Sequence, residues 1–187
     1  DYPVNRWSDA VIEYLKQVKD KLVMVLLEDY WLIRRINWLA ILDAYNYMNE
    51  FPNTIRFDVA SDRMFNRGCG YAGTYGSIDI CRGKGDYSLS YQASIFRRDL
   101  LLEILKPGET PWESELNGTY RLNQTPYEVV GSYQWPINYA IVMNKGKLDT
   151  QGQWMYPART LKEQDWIDLN YMGCLEPEGN GNREYSL

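Results

Sequence analysis

Glu28 and Asp29 carry chemical potential because of what precedes them. Six apolar residues, Leu22 to Leu27, run straight into this carboxylate pair. A run this short, unalternating and with two valines, reads as a strand buried on both faces. Such strands belong to parallel sheets covered by helices, and ligands of open α/β sheets bind just beyond the carboxyl ends of the strands. Two adjacent acids at a strand end suit a divalent cation carrying a phosphate, because hard cations take oxygen ligands. A helix cap or a surface acid pair fits the same two residues.

The chain has no histidine. That removes Ser-His-Asp and Cys-His catalysis, and histidine-ligated zinc. Acid–base work must fall to carboxylates, Tyr or Lys. Cys69, Cys81 and Cys174 are widely spaced, with no CxxC pair and no metal-ligand spacing. A reduced, cytoplasmic setting is expected from them. The 16 Tyr and 7 Trp outnumber the 4 Phe. Their flat apolar faces and polar tips suit sugars, and equally suit a half-buried protein surface.

The bulk numbers bound the class. At 187 residues the chain is long enough to bury a real core as one domain, expected over 1–175, with 176–187 as a polar, flexible tail. A net charge of −5 and a pI near 4.9 argue against nucleic acid or an anionic membrane as partner. No apolar stretch reaches the roughly 20 residues that span a bilayer. The chain begins at Asp1 and enters an ordered-looking element at once, so a piece of a longer domain is expected.

The elements that must position these residues follow from periodicity. Ser8 is the expected N-cap of a first helix with Val11, Tyr14, Leu15 and Val18 on one face. Asn37 caps a second, with Trp38, Ile41, Leu42, Tyr45 and Met48 as its apolar stripe and Phe51-Pro52 as its stop. Residues 54–59 alternate, with Ile55, Phe57 and Val59 on one side, and read as a half-buried strand. The glycine-rich stretch 66–86 reads as loops around short strands.

Residues 87–96 alternate again. Ser88, Ser90, Gln92 and Ser94 form a polar row that fits a pocket lining or a solvated sheet face. A helix follows from Arg97-Arg98-Asp99 to Leu105. Thr110-Pro111-Trp112-Glu113 then opens another, with Thr at the N-cap, Pro at the first helical position and Glu three residues after the cap. One or two strands fall in 128–143, and Thr160 to Glu163 opens a last helix to about Met172. The expected fold is α/β: a mixed, mainly parallel open sheet flanked by helices, with an irregular β-rich second half.

Two stretches carry a resemblance. They are Leu-Leu-Glu-Asp-Tyr-Trp-Leu at 26–32, and the passage 87–102 with its sequel Lys-Pro-Gly-Glu-Thr-Pro-Trp-Glu-Ser-Glu at 106–115. Over roughly residues 7–175 the chain resembles a group of bacterial and viral glycosyltransferases with the nucleotide-diphospho-sugar (GT-A type) fold. That group carries an acid–aromatic pair after a hydrophobic strand and a Pro-Trp-Glu-x-Glu element. Three departures stand out: the resemblance implies first β-α units upstream of Asp1, the acidic motif is Glu-Asp-Tyr rather than Asp-x-Asp, and Phe96 stands where the group has Trp.

The resemblance implies a nucleotide-sugar donor, and a glycan or other hydroxyl acceptor. Asp29, helped by Glu28, would hold Mn²⁺ or Mg²⁺ against the leaving diphosphate. Glu113 and Glu115 would be the candidate bases for the acceptor hydroxyl, if transfer inverts the sugar. Glu113 is equally the capping-box acid, and Glu115 equally a solvated helix residue. Arg97 and Arg98 would contact phosphate, or open their helix in solvent. Trp112 and Tyr30 would stack on sugar, each having core packing as its alternative, and Gln92 would contact substrate from the polar row. A non-catalytic carbohydrate- or partner-binding domain and a metal-dependent nucleotidyl- or phosphotransferase are the competing functions. A sheet edge left open by the missing units would favour a homo-oligomer.

Overall fold

A computed structural model describes residues 3–27, 30–32, 34–60, 63, 69–141, 143–144 and 147–148. By packing the chain divides into two units, Asp1–Leu27 with Ile36–Ile137 and Glu28–Arg35 with Asn138–Leu187. The first unit holds helices α1 (Trp7–Gln17), α2 (Trp38–Glu50), α3 (Arg98–Ile104) and α4 (Pro111–Asn123). Its strands are β1 (Leu22–Val25), β3 (Thr54–Asp58), β4 (Gly70–Tyr75), β5 (Ile78–Arg82), β6 (Ser94–Arg97) and β7 (Glu128–Ser132). In the second unit β2 (Tyr30–Leu32) pairs antiparallel with β8 (Tyr139–Ile141), and β9 (Met143–Asn144) with β10 (Lys147–Leu148). The helix expected from Thr160 and the tail 176–187 lie outside the described residues.

The six strands of the first unit form one mixed sheet in the order β1-β6-β3-β7-β5-β4. The α/β class holds, but the expectation of a mainly parallel sheet is corrected. Only β3 and β7 pair in parallel, and every other ladder of this sheet is antiparallel. The reason is connectivity. The β4–β5 hairpin supplies one antiparallel pair, and β6 inserts against the direction of both neighbours. Even so, β1, β3 and β7 all run the same way.

β1 also corrects its own reading. It is the edge strand beside β6 rather than a strand buried on both faces, and Met24 is 40% exposed. β3 errs the other way. All five of its residues are buried, Arg56 and Asp58 included, so the half-buried expectation fails at the polar positions.

Alternation sends Phe57 and Ile95 to one face of the sheet and Arg56 and Phe96 to the other. α2 covers the first face. Buried Ala40 and Ala44 let it approach closely, and the Tyr47 ring meets Phe57 edge-on at 5.6 Å. Its buried stripe is therefore Ala40, Ile41, Ala44, Tyr47 and Met48, while Trp38, Leu42 and Tyr45 face out, against the expected stripe. On the second face α1, α3 and α4 bring Leu15, Leu101, Ile104 and Leu122 onto Phe96 and Val129.

Local signals set the helix ends. Asn37 accepts the N–H of Ala40 at 3.2 Å, as its cap role requires. Ser8 does not cap. α1 begins one residue earlier, and the Ser8 hydroxyl accepts the N–H of Glu109 at 2.9 Å instead. No helix among the described residues is long and apolar enough to cross a membrane.

Candidate functional site

The carboxyl ends of β1, β3 and β7 share one edge of the sheet. Val25 pairs with Ser94, and Asp58 with both Ser94 and Gly131. The segment that reaches this edge is 85–93, just ahead of β6. Its alternation predicts a strand, yet it pairs with no strand; only Ser94–Arg97 joins the ladder. Side chains from other elements take its backbone groups instead. The Thr119 hydroxyl donates to the Leu89 carbonyl at 3.1 Å and accepts the Leu89 N–H at 3.0 Å. The Tyr91 N–H donates to Glu115 Oε1 at 2.7 Å. Asn123 donates to the Gly85 carbonyl at 3.1 Å.

Two buried arginines complete this ledge. Arg56 donates from Nε to Ser94 Oγ at 2.9 Å and from a terminal nitrogen to the Tyr87 carbonyl at 3.1 Å. Arg63 donates to the carbonyls of Asp86 at 3.3 Å and Tyr87 at 3.4 Å. Asp58 is fully buried and accepts the N–H groups of Ala60, at 3.0 Å, and of Arg63. Hydrogen-bonded in this way, buried charged groups are tolerated. Tyr87, where the arginines converge, has φ of 52°, a conformation that non-glycine residues rarely adopt. Such strain persists only where surroundings enforce it, and it clusters at functional sites.

α4 backs the ledge. Tyr91 is buried and shares a 2.7 Å hydrogen bond with Ser114; its burial pushes the phenol up from the ordinary range. The Trp7 ring meets Tyr91 edge-on at 4.6 Å. Arg121 grips Glu109 with two bonds of 2.8 Å, tying the loop before α4 to its third turn.

The expected site residues fall into three groups. Glu115 and Gln92 lie on or beside the ledge, and Trp112 is an exposed residue of the first turn of α4. The Gln92 side-chain oxygen is buried with no hydrogen-bond partner among the described residues. Trp112 is 66% exposed, so core packing does not account for it. Glu113, Arg97 and Arg98 are engaged in holding helix ends. Glu113 and Thr110 form a complete capping box, with bonds of 2.9 and 3.2 Å. The Thr110 N–H and hydroxyl hold the Glu113 carboxyl below the usual carboxylate range, which makes it a weaker proton acceptor. Arg97 donates to the carbonyls of Met48 and Phe51 at the end of α2, and Arg98 to that of Val18 at the end of α1. Cations at helix C-termini satisfy the last carbonyls and the dipole.

Glu28 and Asp29 lie outside the described residues. Tyr30 is placed in β2 by its backbone, opposite Ile141. Among the described residues no group of three or more Cys, Asp or Glu side chains is placed to hold a metal ion. Sequence reasoning missed Arg56, Asp58, Arg63 and Tyr87. The available signal was Arg56 and Asp58 themselves, charged residues within the most apolar-flanked strand. Comparison with protein-family models, with curated proteins and with solved structures finds no match.

Proposed function

We propose that the chain belongs to a metal-dependent glycosyltransferase that moves a sugar from a nucleotide-sugar donor to a hydroxyl of a glycan or other acceptor. One observation carries this reading. Three codirectional strands end at one sheet edge, where a backbone ledge is fixed by side chains and not by strand pairing. Crevices outside the carboxyl ends of α/β strands are where such folds bind ligands. Glu115 holds one oxygen on the ledge beside Gln92, which makes it the better placed of the two expected bases. The Gln92 oxygen, which has no partner among the described residues, suits a sugar hydroxyl, which is a donor. Trp112 offers an exposed ring for a sugar face.

Mn²⁺ or Mg²⁺ enters through the resemblance alone. Glu28 and Asp29 are the donors of the right chemical type, oxygen ligands for a hard cation. Once bound, such an ion neutralises the leaving diphosphate. No three-carboxylate cluster among the described residues replaces them.

Calorimetric titration with UDP, GDP and CDP, with and without Mn²⁺, tests the proposal. The expected result is metal-dependent binding of one nucleotide, lost in Asp29→Asn. Failure of every nucleotide to bind in the presence of Mn²⁺ overturns it. A second reading, a carbohydrate- or partner-binding module, is favoured by one feature. Trp112, Leu116 and Tyr120 recur at every fourth position along α4 and are all exposed. Metal-independent binding of a glycan, abolished by Trp112→Ala, would select it.

A further inference from the structure

We infer that Cys69 and Cys81 form a reversible dithiol–disulfide couple that acts on the 85–93 ledge. The strand geometry brings them together. Cys81 lies in β5 opposite Tyr71 of β4. Opposite residues of an antiparallel pair share a face, and side chains return to that face every second residue. Cys69, two residues before Tyr71 and just ahead of β4, therefore falls diagonal to Cys81 on the same side of the hairpin. The two thiols are hydrogen-bonded to each other, and both are free.

The two cysteines are unequal, as a stepwise exchange needs. Cys69 is half-buried and Cys81 is buried. The hydrogen bond from Cys81 and the neighbouring Arg63 guanidinium hold the Cys69 thiol below its ordinary range, against partial desolvation. The hydrogen bond to Cys69 and burial push Cys81 up. Among the described residues, Asp58, Arg63 and Tyr133 are the other ionisable groups facing the pair.

The oxidant is a small disulfide such as oxidised glutathione. The Cys69 thiolate attacks one of its sulfurs, the glutathione S–S bond breaks, and one glutathione leaves as thiolate and takes up a proton. Cys81 loses its proton to solvent and attacks the Cys69 sulfur, releasing the second glutathione. Two protein thiols become one disulfide, and one glutathione disulfide becomes two glutathione thiols. Arg63 links this chemistry to the ledge. It contacts the Cys69 thiol and donates to the Asp86 and Tyr87 carbonyls. Disulfide formation removes the Cys69 thiol or thiolate as a partner of Arg63 and so alters its hold on the ledge.

The test incubates the full chain over a range of reduced-to-oxidised glutathione ratios, alkylates after acid quenching and maps peptides by mass spectrometry. A Cys69–Cys81 linked peptide that dithiothreitol reverses is expected, with Cys174 remaining alkylatable. In Cys81→Ser, Cys69 should stop at the glutathione adduct. Amide exchange over 85–91 should quicken several-fold on oxidation. A stable Cys69–glutathione adduct in the unsubstituted chain, or linkage of Cys69 to Cys174, would overturn the couple. Unchanged exchange over 85–91 would overturn its action on the ledge.

Discussion

Glu113 carries two demands that its environment separates. A general base gains from a carboxyl whose pKa lies near the working pH, so that it takes a proton readily. A capping acid gains from the opposite, and the Thr110 N–H and hydroxyl hold Glu113 low. Because its folded pKa is depressed, its contribution to stability is complete above the ordinary carboxylate range. That contribution is lost as pH falls through the lower, folded value. The stability difference between the unsubstituted chain and Glu113→Gln should therefore shrink as the solution is acidified. Denaturant midpoints of both proteins across the acid range check this, and a difference that is constant with pH would refute it. Thr110→Ala should cost about 1 kcal/mol at neutral pH, the usual worth of a hydroxyl cap. The capping box was legible in the sequence because all its partners lie within three residues. The roles of Arg97 and Arg98 were not, because their carbonyl partners lie 49 and 80 residues away.

At the scale of elements, the same divide between local and distant partners decides what the sequence could tell. The apolar run at 22–27 announces a strand but not its neighbours, and β1 turned out to be an edge strand. The alternation at 87–96 announces a strand too. There the backbone groups found side-chain partners first: Thr119 and Glu115 from α4, and two arginines from below. α4 must sit close for this to happen, and Gly118 makes the approach possible. A Cβ at Gly118 would stand 2.2 Å from Leu89 Cδ2, and Leu89 is fully buried with its backbone held by Thr119. Gly118→Ala therefore sets two effects against each other. Alanine gains about 1 kcal/mol in helix propensity, while forcing a methyl into a filled site costs roughly 1–3 kcal/mol. Packing should win, because Leu89 has no room to yield. A net loss of stability, measured by urea unfolding, is expected, together with weakened protection of the Leu89 amide. A Gly118→Ala protein more stable than its parent would mean that the helix stands further from the ledge than described.

For the first unit as a whole, the sheet order sets where stability resides. β6, β3 and β7 each have a strand on both sides, whereas β1 and β4 each have one. Outermost strands lose their hydrogen bonds through local opening, while central ones exchange only through near-global unfolding. β3 is buried at every residue, whereas four of the six residues of β4 are exposed. Amide hydrogen exchange should accordingly be slowest in β3 and β7 and fastest in β4. β1 should fall between them, because the Leu22–Val25 ladder ties it to β6 and the Arg98 N–H donates to the Lys21 carbonyl just before it. The experiment also bears on self-association. An unpaired strand edge is a template for a second chain. If β4 amides in dilute solution exchange as slowly as those of β3, something must cover that edge. Dilution that restores fast exchange would identify the cover as another copy of the chain. Fast exchange in β4 at every concentration would leave the sheet six-stranded in solution and place any homo-oligomer contact elsewhere.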